Sequence, residues 1–220
     1  MNAKLISITQ PLDTSFTPEE FIVYQARVSS PQNQHNHDTG HKLLSYCIKH
    51  GHWSVFDMVD VTMEIATSRA IMAQILRHSS FKFQEFSQRY AEIYEFDWTD
   101  LEMRQKAEGG NRQGSDGVNE MLTHDAMRIV RNAGYDYEMM VKCGIAPESA
   151  RMLLPLATPT KAYMKGSVRS WITYFWQRRT KHAQKEHRLL AEAMFKQFKP
   201  HFPVISELIT KGKMVYVEKE

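Results

Sequence analysis

The segment VDVTMEIA, residues 59 to 66, alternates without a break. Val59, Val61, Met63 and Ile65 fall on one face, and Asp60, Thr62 and Glu64 on the other. A period of two over that length predicts a strand with one buried face and one wet face. SRAIMAQILRH, which follows shortly after, switches to helical spacing, with Ile71 and Ile75 on its apolar side. A half-buried strand that feeds into a helix argues against both an all-helical and an all-strand fold.

The rest of the chain mixes the same two periods. ISI near the start reads as a short strand. Thr17-Pro18-Glu19-Glu20 supplies a capping residue, a first-turn proline and acids that favour the helix dipole, so a helix is predicted from there to about Val28. After the polar loop SSPQNQHNHDTG, a helix is predicted from about His41, stopping at Gly51. KAEGGNRQGSDG, rich in glycine and polar residues, reads as the most mobile loop of the chain. A long helix is predicted from about Gly117 to Lys142, ended by Gly144, and a short one around Glu148–Leu153 before Pro155. TKAYMKGS reads as a strand running into a helix at VRSWITYFWQRR, and helices follow over about Ala183–Lys199 and after Pro203. This order, not a strict βαβ repeat, predicts an α+β fold: a single domain over residues 1–220 with a small, mainly antiparallel sheet flanked by helices.

Composition narrows the function classes. A chain of 220 residues, 42% hydrophobic and 24% charged, has the make-up of a globular domain with a sizeable core. A formal charge of +3 is too small to point to a nucleic-acid partner, although local anion sites remain open. No apolar run reaches membrane-spanning length, and the first residues carry no apolar region of signal-peptide length. Cys47 and Cys143 are the only cysteines, which excludes a disulfide framework and points to a reducing, cytoplasmic setting. His35, His37 and His41 cluster without partner spacing, so no metal site is assigned. GxGxxG, GxxxxGK[ST] and GxSxG are all absent.

Chemistry concentrates in RHSSFKFQEFSQRY, Arg77 to Tyr90, which sets charges among three phenylalanines. Gln74, Arg77 and His78 share a helix face where that helix ends; complementing the dipole would also account for the two cations. Glu85, Ser87 and Arg89 alternate, so an extended chain would point them to one side, either as a ligand wall or as a salt-bridged edge strand. Ser167 can cap the following helix, but Arg169 then falls in its first turn, where a positive charge is unfavourable unless something anionic lies close. Free N–H groups at such a start bind phosphates. Arg178 closes an aromatic helix face with Trp171, Tyr174 and Phe175, as a paired donor or as a snorkelling cation. Arg151 precedes LLP in a short helix.

Together these stretches resemble one family, the flavin-dependent thymidylate synthases. Its signature, RHR then seven residues then Ser, reads here RHS-SFKFQEF-S followed by QRY. GHWSVFD upstream, and ARMLLPLATPTKAYMKGSVRSW, FWQRR and KHAQKEHR downstream, extend the resemblance over most of the chain. The resemblance implies FAD as cofactor, NADPH as reductant, methylenetetrahydrofolate as one-carbon donor and dUMP as substrate, giving dTMP without attack by an enzyme cysteine. It implies nucleotide contacts at Gln74, Arg77, Glu85, Phe86, Ser87, Gln88, Arg89, Arg151 and Arg178, with Arg178 polarising the uracil ring. It implies flavin contacts at Ser54, Arg77, His78, Ser79, Glu85, Ser167, Val168, Arg169 and Thr173, with His52 nearby. It also implies a homotetramer with shared active sites. The third signature position is Ser79 instead of arginine, so one cationic contact near the flavin is missing, and Lys82 is the cation next in line. A relative that binds nucleotide or flavin without catalysis is the alternative reading.

Overall fold

A computed structural model describes residues 1–12, 15–92, 101–107 and 114–211. Its centre is a four-stranded antiparallel sheet in the order β1-β2-β6-β3, formed by β1 (Asn2–Ile8), β2 (Asp60–Ser68), β6 (Pro159–Ser167) and β3 (Lys82–Glu85). Nine residues of β2 pair in unbroken register with nine of β6, from Asp60↔Ser167 to Ser68↔Pro159. The alternation has the predicted consequence. Val61, Met63 and Ile65 of β2 and Ala162 and Met164 of β6 face the core, each large side chain contributing about 1.5–3 kcal/mol. On the opposite face Lys165 meets Asp60 at 2.6 Å and Lys161 meets Glu64 at 3.7 Å. One face buried and one wet is the usual state of an antiparallel sheet.

The buried face is covered by α1 (Pro18–Ala26), α2 (Gly40–Lys49), α3 (Arg69–Ile75), α6 (Val168–Arg178), α7 (Lys185–Phe198) and α8 (Pro203–Thr210). Helix starts follow the sequence signals. Thr17 and Glu20 form a reciprocal capping box, and Ser68 and Ser167 accept from Ile71 N and Ser170 N. Gly51 and Gly144 take positive φ, 71° and 86°, where α2 and α4 (Glu120–Lys142) have ended. The Glu19 carboxylate, buried under α8, accepts from Val204 N and Ile205 N at 3.1 and 2.8 Å and ties α1 to that helix. The long helix α4 packs with α5 (Pro147–Ala150) around a satellite cluster of Tyr137 and Ala150.

Three expectations need correction. The chain does not stay extended through Glu85, Ser87 and Arg89. The ladder with β6 ends where Phe86 N donates to Lys161 O, and the Ser87 carbonyl then accepts from Tyr90 N and Ala91 N, making a turn. The glycine-rich segment is not plain loop at its ends: β4 (Arg104–Lys106) and β5 (Ser115–Val118) form a two-stranded ribbon. The loop reading for 108–113 lies outside the described residues. α3 ends at Ile75, so Arg77 and His78 lie in the turn beyond it and share no helix face with Gln74. Elsewhere, β1 begins four residues before ISI, and α4 starts three residues late because Gly117 belongs to β5. The remaining elements lie within about two residues of their expected bounds. No helix of the described residues is long and apolar enough to cross a membrane.

Gly166 in β6 lies under the ring of Phe81, in the turn between α3 and β3. A Cβ there would meet the ring at 2.6 and 2.7 Å. Gly166→Ala is expected to destabilise the protein by about 1–3 kcal/mol, as overpacking does. Urea unfolding measures this, and an unchanged midpoint would contradict the packing described.

Candidate active site

β2 and β6 are antiparallel, so the helices that follow them, α3 and α6, start at opposite ends of the pair. They converge at their C-terminal ends, where Arg178 Nε donates to His78 Nε2 at 2.9 Å. A ring nitrogen that accepts carries no proton, so His78 is neutral with its hydrogen on Nδ1. Burial, and then the Arg178 charge, push its pKa down to about 4. Edge-on contacts to Tyr174 and Phe81, with centroids 5.0 and 6.4 Å apart, hold the ring. Arg178 is therefore anchored through Nε by a neutral partner and keeps its full charge.

Arg178 and Arg77 stand between two clefts. The larger, about 850 Å³, is bounded by Gln74, Arg77 and Arg178, by the 181–185 loop, by Arg188 and by β5. Its wall is cationic, with Asp116 the single carboxylate among the described lining residues. The second, about 430 Å³, runs past His78, Ser79, Ser80, Ser170 and Thr173. Ser80, Ser170 and Thr173 also border a third, about 570 Å³, with Lys82, Ser167 and Arg169. Arg169, the first-turn cation, finds its anion in Asp57: one carboxylate oxygen takes Arg169 Nη1 at 3.0 Å, the other the Ser167 hydroxyl at 2.8 Å. Asp57 ends the short 3-10 turn Trp53–Asp57, which also carries Ser54 on its exposed side.

The other predicted contacts gather elsewhere. Glu85 accepts from Arg69 Nη1 and the Thr160 hydroxyl, both at 3.0 Å. Arg89 meets Glu148 at 3.0 Å, and Arg151 Nε donates to the Glu148 carbonyl at 3.3 Å. Gln88 is buried, and its amide nitrogen has no partner. None of Glu85, Phe86, Ser87, Gln88, Arg89 and Arg151 lines any of these three clefts. Lys82 and Glu85 stand at opposite ends of β3, about 10 Å apart at strand spacing. Val168 packs in the core and its N–H is taken by the Val59 carbonyl, so it borders no cleft either.

The model of the thymidylate synthase complementing protein family matches residues 12–204. The chain belongs to that family. A "Flavin-dependent thymidylate synthase" of Synechocystis is 46% identical over 215 residues, covering 94% of this chain and 98% of the relative. A protein of Paramecium bursaria Chlorella virus 1 named "Probable flavin-dependent thymidylate synthase" is 44% identical, covering 95% and 99%. Among solved structures, a UMP/dUMP methylase, PolB, of Streptomyces cacaoi superposes with a TM-score of 0.80 over 96% of this chain and 94% of that one. At 24% identity it supports the fold alone.

Sequence reasoning missed several residues that hold the predicted site residues of this family member in place. Asp57 and Arg69 partner predicted site residues from far along the chain. His187, fully buried, bonds the Tyr174 hydroxyl and Gln74. Its signal was present: His187, Leu190, Ala191 and Met194 fall at i, i+3, i+4 and i+7, so the histidine heads the buried stripe of α7. Burial, Arg178 and His78 lower its pKa to about 3.

Two histidines held neutral make stability depend on pH. In the unfolded chain both protonate near 6.5; folded, they do so near 4 and 3. The unfolded state therefore binds more protons below about 6.5, and stability falls as pH drops from there towards the folded values. His187→Gln is expected to flatten that slope between pH 6.5 and 4.5 by about one proton, ~1.4 kcal/mol per pH unit. Taking the difference between the two proteins removes Glu19, whose raised pKa acts in the opposite direction. Urea titrations at stepped pH measure it, and parallel curves would refute the neutral state of His187.

Proposed function

We infer that this chain is a flavin-dependent thymidylate synthase: it methylates dUMP reductively to dTMP, with FAD as cofactor. NADPH is the reductant and methylenetetrahydrofolate the one-carbon donor. The observation that carries the reading is Arg178, anchored by neutral His78 at the junction of a cationic cleft and a hydroxyl-rich groove, in a chain of this family. Among the described residues, nothing but Asp116 offers a carboxylate to the larger cleft. That wall suits an acceptor-rich anion such as a nucleoside monophosphate.

The groove fits the flavin by its donor set. Arg77, Ser79 and Thr173 line the second cleft, and Thr173 continues into the third with Ser167, Arg169 and Lys82, where the carboxylates of Asp57 and Asp60 are taken up by Arg169 and Lys165. Lys82 has no ion-pair partner among the described residues, so its ammonium is free for an oxyanion. When bound, FAD supplies the hydride that completes the methyl group. Arg178 does the chain's share of the chemistry. Its guanidinium polarises a ring carbonyl and stabilises the negative charge that develops as uracil N3 loses its proton. Arg77 and Gln74 orient the nucleotide from the end of α3. Cys47, buried with its thiol pKa pushed up by burial, and exposed Cys143 take no part. An inactive binding relative is not favoured, since the anchored guanidinium at the cleft junction is what turnover requires.

The second cluster supports shared sites. Arg89, Arg151, Ser87 and the orphaned Gln88 amide form a donor group suited to a phosphate, yet they border none of the clefts around Arg178. A homotetramer in which one chain's Arg178 cleft is completed by another's Ser87–Arg89 and Arg151 explains the division, with Glu85, Phe86 and Ser54 brought up to nucleotide and flavin at the same junction. We place this assembly in the cytoplasm.

Tritium release from 5-labelled dUMP, with folate and NADPH supplied, tests the function, and its absence in a flavin-loaded protein would overturn it. Arg178→Ala is expected to lose most of kcat. Arg151→Ala should mainly raise KM, since a phosphate clamp acts on binding more than on the chemical step; the reverse pattern would contradict these roles. The shared site has its own test. Arg89→Ala and Arg178→Ala, each inactive alone, should regain part of the activity when mixed under conditions of subunit exchange. No recovery despite demonstrated exchange would mean that one chain supplies both arginines.

A further inference from the structure

Tyr174, His187 and Gln74 form a chain of hydrogen bonds whose direction the burial of its first member decides. Tyr174 is fully buried, and its hydroxyl has one partner among the described residues, His187 Nε2 at 3.1 Å. A buried hydroxyl proton needs an acceptor, so Tyr174 donates and Nε2 accepts. His187 is fully buried as well, and burial with the Arg178 charge keeps it neutral. Its one proton then sits on Nδ1, which lies 3.2 Å from Gln74 Oε1. A donor at that place turns the carbonyl end of the Gln74 amide inward and the NH2 outward. The outward nitrogen donates to Gln184 Oε1 at 2.7 Å and keeps a second N–H at the edge of the cationic cleft. With the opposite amide orientation, Tyr174 would hold a buried proton with nowhere to go.

We propose that His187 is a specificity-determining positioning residue. Through the Tyr174–His187–Gln74 chain it locks the Gln74 amide as a donor, so that this wall of the nucleotide cleft takes a pyrimidine with a carbonyl at C4 and rejects one with an amino group there. The inference rests on the reading of the cleft as the dUMP site. Gln74, Arg77 and Arg178 line the cleft and carry N–H donors, so the uracil O4 finds partners on this wall, whereas the cytosine amino group finds no free acceptor among these three residues. A site built to pair a polar group discriminates strongly, because the wrong ligand leaves buried groups unpaired. His187 touches neither nucleotide nor flavin. It acts through Gln74.

The test compares dUMP and dCMP binding to the flavin-loaded protein by calorimetry, for the wild type, His187→Leu, His187→Gln and Tyr174→Phe. Leucine removes the donor and frees the amide to turn. The dUMP-over-dCMP preference is then expected to fall at least tenfold, and KM for dUMP to rise more than kcat drops. Glutamine can accept from Tyr174 and donate to Gln74, so His187→Gln should restore most of the preference, which a mere packing role would not do. Tyr174→Phe deletes one oxygen, releases the tautomer of His187 and should weaken the preference even if His187→Leu fails to fold. A wild type that binds dUMP selectively, with the preference unchanged in the folded variants or lost equally in the glutamine variant, overturns this inference alone. A flavin-loaded wild type that binds neither nucleotide overturns the functional reading and this inference with it.

Discussion

The antiparallel register between β2 and β6 is the constraint on which the rest depends. Asp60 faces Ser167 and Ser68 faces Pro159, so the two strands hand over to α3 and α6 at opposite ends of the pair. Both helices lie on the buried face and must approach each other. The nine paired positions span about 27 Å at strand spacing. Seven residues of α3 and eleven of α6 cover about 27 Å at helical rise. The matching lengths bring the two C-terminal ends together, where Arg178 reaches His78. A one-residue slip in the pairing would turn Val61, Met63 and Ile65 to water and carry that meeting point away. The hydrophobic pattern of one strand thus positions the reactive guanidinium at a distance.

Two helix C-termini at one place concentrate negative dipole ends, and the same place must hold a cation for its chemistry. Arg178 answers both needs, since its charge sits well at the end of α6. The cost falls on its neighbours. Burial first, and then the nearby guanidinium, keep protons off His78 and His187, and their neutrality is what makes them useful. A protonated His78 could not accept from Arg178 Nε, and a protonated His187 could not accept from Tyr174. Tyr174 packs against both rings, and it leaves His187 fully buried and His78 at the edge of the second cleft.

Local signals were legible in the sequence and long-range partners were not. The strand at 60–68, the cap at Thr17, the glycine stops at Gly51 and Gly144 and the passage from strand to helix at Ser167 are each written within a few residues. Asp57 is an exposed acid in a turn, and nothing near it shows that Arg169, 112 residues away, is its partner. The ribbon β4–β5 has few apolar residues and no alternation, so it carries no period to detect. The turn at Ser87 escaped notice because Phe81-Lys82-Phe83-Gln84 alternates and suggests a strand running on, while the length of the ladder is set by its partner β6. Among site residues, the types were readable and the grouping was not. That Arg77 and Arg178 would share a cleft while Arg89 and Arg151 gather around Glu148 is a property of the packed chain.

Charge pairing separates the cations that hold the fold together from those open to a ligand. Arg104 borders the large cleft, but only a tenth of its side chain is exposed and it meets Glu102 at 2.8 Å and Glu186 at 2.5 Å. Breaking a buried pair of this kind costs several kcal/mol, so Arg104 belongs to the wall. Arg89 is also paired, yet it and Glu148 are more than half exposed. Such a surface pair is worth at most about 1 kcal/mol. A phosphate offering charge-assisted, two-pronged hydrogen bonds competes with it easily. Glu148 then holds Arg89 in place without sequestering it. Arg77, Lys181 and Arg188 have no carboxylate partner among the described residues and need no release at all. The uneven distribution of anions therefore leaves free charge where the nucleotide cleft opens and withholds it where the ribbon must be secured.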